Sequence, residues 1–233
     1  HPSIFCMSLL LQITETTLPL SQPTEEKLNL IELVFKGGFF MIPLVVLSVM
    51  AVYIFVERYL TIKKARKEDT QFMNLIKDFV ASGNIHSAQD LCGKTDHPLA
   101  RMMGKGVMRI GRPLKDIETA VENVGKIEVG KLEKNLGTLA TIAGAAPMIG
   151  FLGTVTGMIR AFYNMSKAGN NIDPGLLSGG IYEAMVTTAA GLVVGIIAYI
   201  GYNVLVSMID KVVHNLEART VEFLDLLQEP AKK

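Results

Sequence analysis

Three stretches of this chain carry no charged residue: residues 37–56, 135–159 and 184–209. A hydrocarbon core about 30 Å thick is crossed by about 20 helical residues, each adding about 1.5 Å. A soluble core helix rarely needs so long a run without charge, so three membrane-spanning helices are the parsimonious reading. The third stretch begins directly after Glu183, which has no charged neighbour back to Asp173 or forward to Asp210. Desolvating a charged side chain in hydrocarbon costs several kcal/mol, so intramembrane acids are rare, face a protein interior or water, and mark ion paths. Glu183 is thus the leading functional candidate.

The rest of the composition mainly excludes. A net charge of +1 in 233 residues supplies no basic field for nucleic acid, and with no tryptophan any interfacial aromatic belt must use Tyr and Phe. Cys6 and Cys92 fall on opposite sides of the first span, so a disulfide between them is not expected. His1, His86, His97 and His214 lack ligand spacing and read as solvated or capping residues, with no metal and no cofactor implied. The apolar patch near Ile4 lacks the basic flank and cleavage site of a signal peptide, and Met7 reads as a natural start.

Lys and Arg set the orientation. Arg58, Lys63, Lys64, Arg66 and Lys67 follow span one, and Lys126, Lys131 and Lys134 precede span two. The connection between spans two and three holds only Lys167, with Arg160 at its edge. The positive-inside rule then puts the N-terminus outside and the C-terminus inside, in the cytoplasm. The expected organisation is all-α and polytopic. A periplasmic segment (1–38) carries a short interfacial helix around Leu28, Ile31, Leu33 and Val34. Span one (39–60) contains Pro43 as a source of bending. A small cytoplasmic helical domain follows (61–134), then span two (135–162), a periplasmic loop (163–177), span three (178–206) and a cytoplasmic amphipathic helix (207–233). Breaks in the helical domain are expected at residues 82–84, 93–98 and 111–113. No strong breaker lies between Lys115 and the membrane, so one unbroken helix is expected to enter span two.

On a helical wheel, Ala140, Ala143, Pro147, Gly150, Thr154 and Gly157 share one face of span two, and Gly153 and Gly157 make a small-xxx-small pair. Ile142, Met148, Ile149, Leu152 and Ile159 lie on the other side. Span three repeats the pattern: Glu183, Ala184, Thr187, Thr188, Gly191, Gly195 and Ala198 share a face, opposite Met185, Val186, Leu192, Val193, Ile196, Ile197 and Ile200. Small residues let membrane helices approach closely, which assigns Gly150, Gly153, Gly157, Gly191 and Gly195 to helix packing. Hydroxyls beside the acid can donate, accept or hold water, so Thr154, Glu183, Thr187 and Thr188 are the expected ion-pathway residues. Taken singly, each threonine is better explained as structural, by a bond to its own backbone.

Two segments carry a family likeness. APMIGFLGTVTGMI at 146–159 and GIYEAMVTTAAGL at 180–192, with Tyr202 and Asn203 downstream, resemble the paired signatures of the MotA/TolQ/ExbB proton-channel family, closest to ExbB. Weaker matches are Gly37, Gly38, Pro43, Glu57, Arg58, Gly83, Ala88, Cys92 and 98–100. Thr156 stands where the family often has an aromatic, and the midspan proline of span three is replaced near Ile197. The resemblance implies that Thr154, Glu183 and Thr188 match the family's pore threonines and glutamate. It also implies a pentamer whose spans two and three surround the single membrane helices of an ExbD-like dimer, proton flow past an aspartate of that partner, and work delivered through a TonB-like protein.

The resulting expectation is an ExbB-like stator subunit of a proton-driven motor in the bacterial inner membrane, not an enzyme. No HExxH, GxSxG or Walker pattern occurs, and no second intramembrane acid completes a dyad. The alternatives are a TolQ-like or other stator driving envelope constriction or gliding, sodium as the ion, and a non-conducting membrane scaffold.

Overall fold

The computed structural model describes residues 37–66, 70–168 and 174–228. The expected interfacial helix, Cys6, Met7 and residues 169–173 lie outside these residues; the rest of the expected loop, 163–168 and 174–177, is helical and extends the two helices that flank it. All regular structure among the described residues is helical.

Helix α1, Met41–Arg66, is launched by a turn at Gly38, whose φ of 66° suits glycine. Pro43 is its third residue, where the N–H would have no intrahelical acceptor. It therefore removes no hydrogen bond, and the bend expected from it has no cause. Lys63, Lys64 and Arg66 occupy the last turn, where cations complement the helix dipole.

Four shorter helices follow: α2 Thr70–Ala81, α3 Ile85–Lys94, α4 Pro98–Val107 and α5 Leu114–Leu132. The breaks fall where turn chemistry is strongest. Gly83 and Gly111 have φ of 72° and 95°. The Asn84 side chain accepts from the Ser87 N–H to cap α3. His97 caps α4: its Nδ1 accepts from the Leu99 N–H at 3.2 Å, while Nε2 lies 2.9 Å from the Ala65 carbonyl and so carries the proton. This histidine therefore joins α4 to the end of α1 as well as capping it.

Three residues, 133–135, separate the end of α5 from helix α6, Leu136–Ala168. The expectation of one unbroken helix is corrected here: Asn135 adopts φ of 65°, a left-handed conformation that asparagine tolerates better than most residues. Helix α7, Pro174–Gln228, is continuous for 55 residues, about 80 Å at helical rise, and so extends far beyond a hydrocarbon core. The regions of α1, α6 and α7 are each long and apolar enough to cross a membrane.

The core is built on two scales. Outside the apolar spans, Ile62, Met73, Ile76, Met103, Val107, Val121, Val212 and Phe223 are almost fully buried and knit α1, α2, α4 and α5 onto the distal part of α7. Gly106 lets α4 press onto this core: a Cβ there would lie 2.6 Å from Cε1 of Phe223 and 2.9 Å from Cγ2 of Val121. Within the spans, α6 and α7 make the most extensive helix pair, and both also meet α1.

Candidate functional site

The α6–α7 contact is made of backbone meeting backbone. A Cβ on Gly191 would lie 2.6 Å from the Ala146 carbonyl oxygen and 2.9 Å from the Gly150 Cα. One on Gly195 would lie 2.5 Å from Cγ of Pro147, one on Gly153 2.5 Å from Cγ2 of Thr187, and one on Gly157 2.9 Å from Cβ of Ala184. Gly150 faces the Thr187 carbonyl and the Gly191 Cα, so Gly150, Gly153, Gly157, Gly191 and Gly195 all sit in one seam. Pro147 leaves the Ala143 carbonyl without its helical N–H partner. That oxygen turns toward Gly195, where a side chain would be 3.1 Å from it.

Side chains on the other face of α7 are open. Met185, Leu192, Val193, Ile196, Ile197 and Ile200 are 47–66% exposed. Val186 and Ile142, expected on outward faces, are instead buried. The reason is that α7 and α6 each pack against α1 as well as each other, which widens the covered arc beyond a single helix contact.

Glu183 lies at the edge of this seam, about one third exposed. Its Oε1 presses on Gly38, where a Cβ would be only 1.9 Å away, so the backbone before α1 passes directly over the carboxylate. From α6, Nη1 of Arg160 approaches the same oxygen at 3.9 Å. The acid is therefore not without a cation in the isolated chain. Pairing with a guanidinium lowers the cost of holding a carboxylate at this depth.

The threonines divide into two kinds. Thr187 is buried, and its single hydroxyl proton is shared between the carbonyls of Gly37 at 3.0 Å and Glu183 at 2.8 Å. Thr188 donates to the Gly150 carbonyl at 2.9 Å, a bond between helices across the seam. Thr154 donates at 2.6 Å to Phe151 of its own helix and borders an open apolar depression with Val155, Met158, Ile159 and Phe162. Thus Glu183 and Thr187 come together with the 37–38 strap and Thr188 ties the seam at Gly150, whereas Thr154 makes no hydrogen bond to any of them among the described residues. Thr156, the departure from the family pattern, bonds back to Leu152 and Gly153.

Arg160 and the strap were visible in sequence only as a loop-edge cation and a glycine pair. Nothing in their spacing connects them to Glu183. A second ionic cluster was also not legible. Where α1 meets the α5–α6 elbow, buried Arg58 donates to the Lys131 carbonyl at 3.0 Å and pairs with Glu57, while its Nε has no partner among the described residues. That carbonyl is among the last four of α5, which have no helical N–H to bind. Alongside, buried Glu128 accepts from Arg101 and Lys131, each at 2.6 Å, and Asp96 accepts from Arg101 at 2.8 Å and Lys64 at 3.0 Å. Burial alone would raise the Glu128 carboxyl, but these two donors outweigh it and hold it below the ordinary carboxylate range. Hydrogen bonds from Lys64 and Arg101 likewise hold Asp96 low. No group of His, Cys, Asp and Glu among the described residues could hold a metal ion.

Comparison with known proteins agrees with the sequence signatures. The chain matches the family model described as the MotA/TolQ/ExbB proton channel family over residues 94–218. It is 31% identical over 156 residues to a biopolymer transport ExbB homolog of Methanothermobacter thermautotrophicus, covering 66% of this chain and 54% of that protein. An ExbB-like biopolymer transport protein of Synechocystis sp. is 30% identical over 183 residues, covering 77% of this chain and 72% of its own. The Tol-Pal system protein TolQ of Haemophilus influenzae is 34% identical over 104 residues, 45% of each chain. The chain thus spans about half of the first and last of these relatives. A match that takes in both signatures and the helices bearing Glu183, on a fold with three apolar spans, makes this chain a member of the MotA/TolQ/ExbB proton channel family.

Proposed function

We propose that this protein is an ExbB-like proton-channel subunit of a motor in the inner membrane, with its N-terminus periplasmic and its C-terminus cytoplasmic. It works as a homo-oligomer, a pentamer by family likeness, around an ExbD-like single-span dimer, and passes work to a TonB-like protein. The observation that carries the reading is Glu183: an acid at the edge of a small-residue helix seam, under the Gly38 backbone and on the same helix as Thr187 and Thr188, which hold that backbone and the seam by hydrogen bonds. Chemically, such an acid can take up and release a proton, while the Thr187 and Thr188 hydroxyl oxygens, their protons given to backbone carbonyls, keep lone pairs that can accept. A membrane potential supplies about 2.3 kcal/mol per charge per 100 mV, enough for a modest conformational step per proton. The exposed apolar face of α7 suits lipid or neighbouring helices, and the open depression beside Thr154 suits another apolar helix. Likeness to TolQ favours one second reading, the same device coupled to an envelope load rather than to nutrient import.

The test is proton flux into liposomes holding the chain with its single-span partner, driven by an imposed potential. Glu183→Gln is expected to abolish flux and Thr188→Val to reduce it, with the complex still assembled. Full flux in both variants would show that the ion does not pass Glu183 and Thr188, and a parent complex that carries no flux would be a scaffold instead. Flux that followed sodium and ignored an uncoupler would make sodium the ion.

A further inference from the structure

Outside the apolar spans, α5 and α7 diverge to leave a groove of about 550 Å³. Its floor is apolar: Met102 reaches it from α4, and Gly125 is bare because a Cβ there would meet the Met102 Cε at 2.9 Å. Val221 lies along it, 58% exposed despite being apolar. Four carboxylates rim it, Glu118, Glu122, Glu133 and Glu217, against one cation, Lys126, and none of the four has an ion-pair partner among the described residues. An apolar trough edged by unpaired acid calls for an apolar knob edged by unpaired base.

The same chain carries such a knob. Met108, 65% exposed, caps the C-terminus of α4 at the turn into α5, and Lys105 and Arg112 flank it, both exposed and without a side-chain partner among the described residues. Arg109 adds a third cation, tied to the Asp116 carbonyl at 3.2 Å. Within one chain the knob does not fill the groove: α4 reaches the groove through Met102, while Lys105, Met108, Arg109 and Arg112 are not among the residues that line it. Their heights nevertheless match. Gly106 packs on Phe223 and Val121, which sets the knob level with the end of the groove that Glu118, Glu122 and Val221 line.

We infer that this groove receives the α4–α5 turn of a second copy of this chain, Met108 entering the trough and Lys105, Arg109 and Arg112 facing its acidic rim. The contact is front to back, so each copy keeps a free knob and a free groove, and repetition generates a ring where the rotation closes. This gives the self-association in the proposed function a surface, while its test reads association alone and is independent of ion flux.

The test places cysteines at Met108 and Val221 of the full chain, in a background of Cys6→Ser and Cys92→Ser, and applies a short bismaleimide cross-linker in membranes. The double variant is expected to give a ladder of covalent multimers of this chain, and each single variant only monomers. Dimers from Met108→Cys alone would overturn the inference, as would a ladder absent while the assembly persists, or cross-links to a different protein only. Charge reversal supplies a second arm without cysteines. Glu118→Lys with Glu122→Lys is expected to shift the assembly to smaller species by native mass measurement, and adding Lys105→Glu with Arg112→Glu to restore it. Failure of that restoration in a chain that still folds by circular dichroism would equally overturn it.

Discussion

The Thr187 hydroxyl donates to the carbonyl oxygen of Gly37 at 3.0 Å, joining segments 150 residues apart in the sequence. This bond fixes the backbone that crosses over Glu183, because Gly38 directly follows the acceptor. Thr187 thus anchors the strap over the acid.

Removing that donor leaves a buried carbonyl unsatisfied where little water is available. Thr187→Val is expected to cost about 1–3 kcal/mol, read as a lowered melting temperature in detergent. Thr187→Ser keeps the donor and should lie close to the parent. Equal stability of the valine and parent proteins would show that the strap is not held by this bond.

Two glycine substitutions separate seam packing from helix propensity. Gly191→Ala drives a methyl to within 2.6 Å of a backbone oxygen that cannot rotate away, so the helices must part, at about 1–3 kcal/mol. Gly144→Ala meets nothing within 4 Å and should be neutral or stabilising by up to about 1 kcal/mol. Thermal unfolding of both variants in one detergent gives the comparison.

Glu128 predicts an acid limb of stability. Hydrogen bonds from Arg101 and Lys131 lower its carboxyl in the fold despite burial, whereas in the unfolded chain it titrates near about 4.3. A lowered folded value means the contribution is fully present above the unfolded value and is lost as pH falls through the folded one. Glu128→Gln should destabilise by about 2 kcal/mol at neutral pH, a figure reduced for the partial exposure of Arg101, and should flatten the stability profile below about pH 4. Unfolding midpoints measured across that range check both effects.

Cys92 reports the integrity of the helical domain. Burial pushes its thiol up to about 11, so at pH 8 it should react with iodoacetamide about a hundredfold more slowly than an exposed cysteine. Denaturant that opens the domain should restore ordinary reactivity. Rapid labelling of the native chain would contradict its burial.

Charge distribution and helical periodicity along the chain were enough to determine the three apolar spans, the small-residue face of each helix in the seam and the position of Glu183. Hydrocarbon imposes those patterns residue by residue, and they need no knowledge of neighbours. Turn chemistry at Gly83, His97 and Pro113 was local in the same way. Only the tertiary structure decided that Asn135 interrupts α5 and α6, that Arg58 reaches a carbonyl at Lys131, and that Glu183 sits between Gly38 and Arg160. The last two depend on segments far apart in sequence whose approach is set by how the helices pack, and the first on a left-handed backbone that asparagine permits without requiring. Periodicity records which face of a helix is covered and says nothing about which residue does the covering.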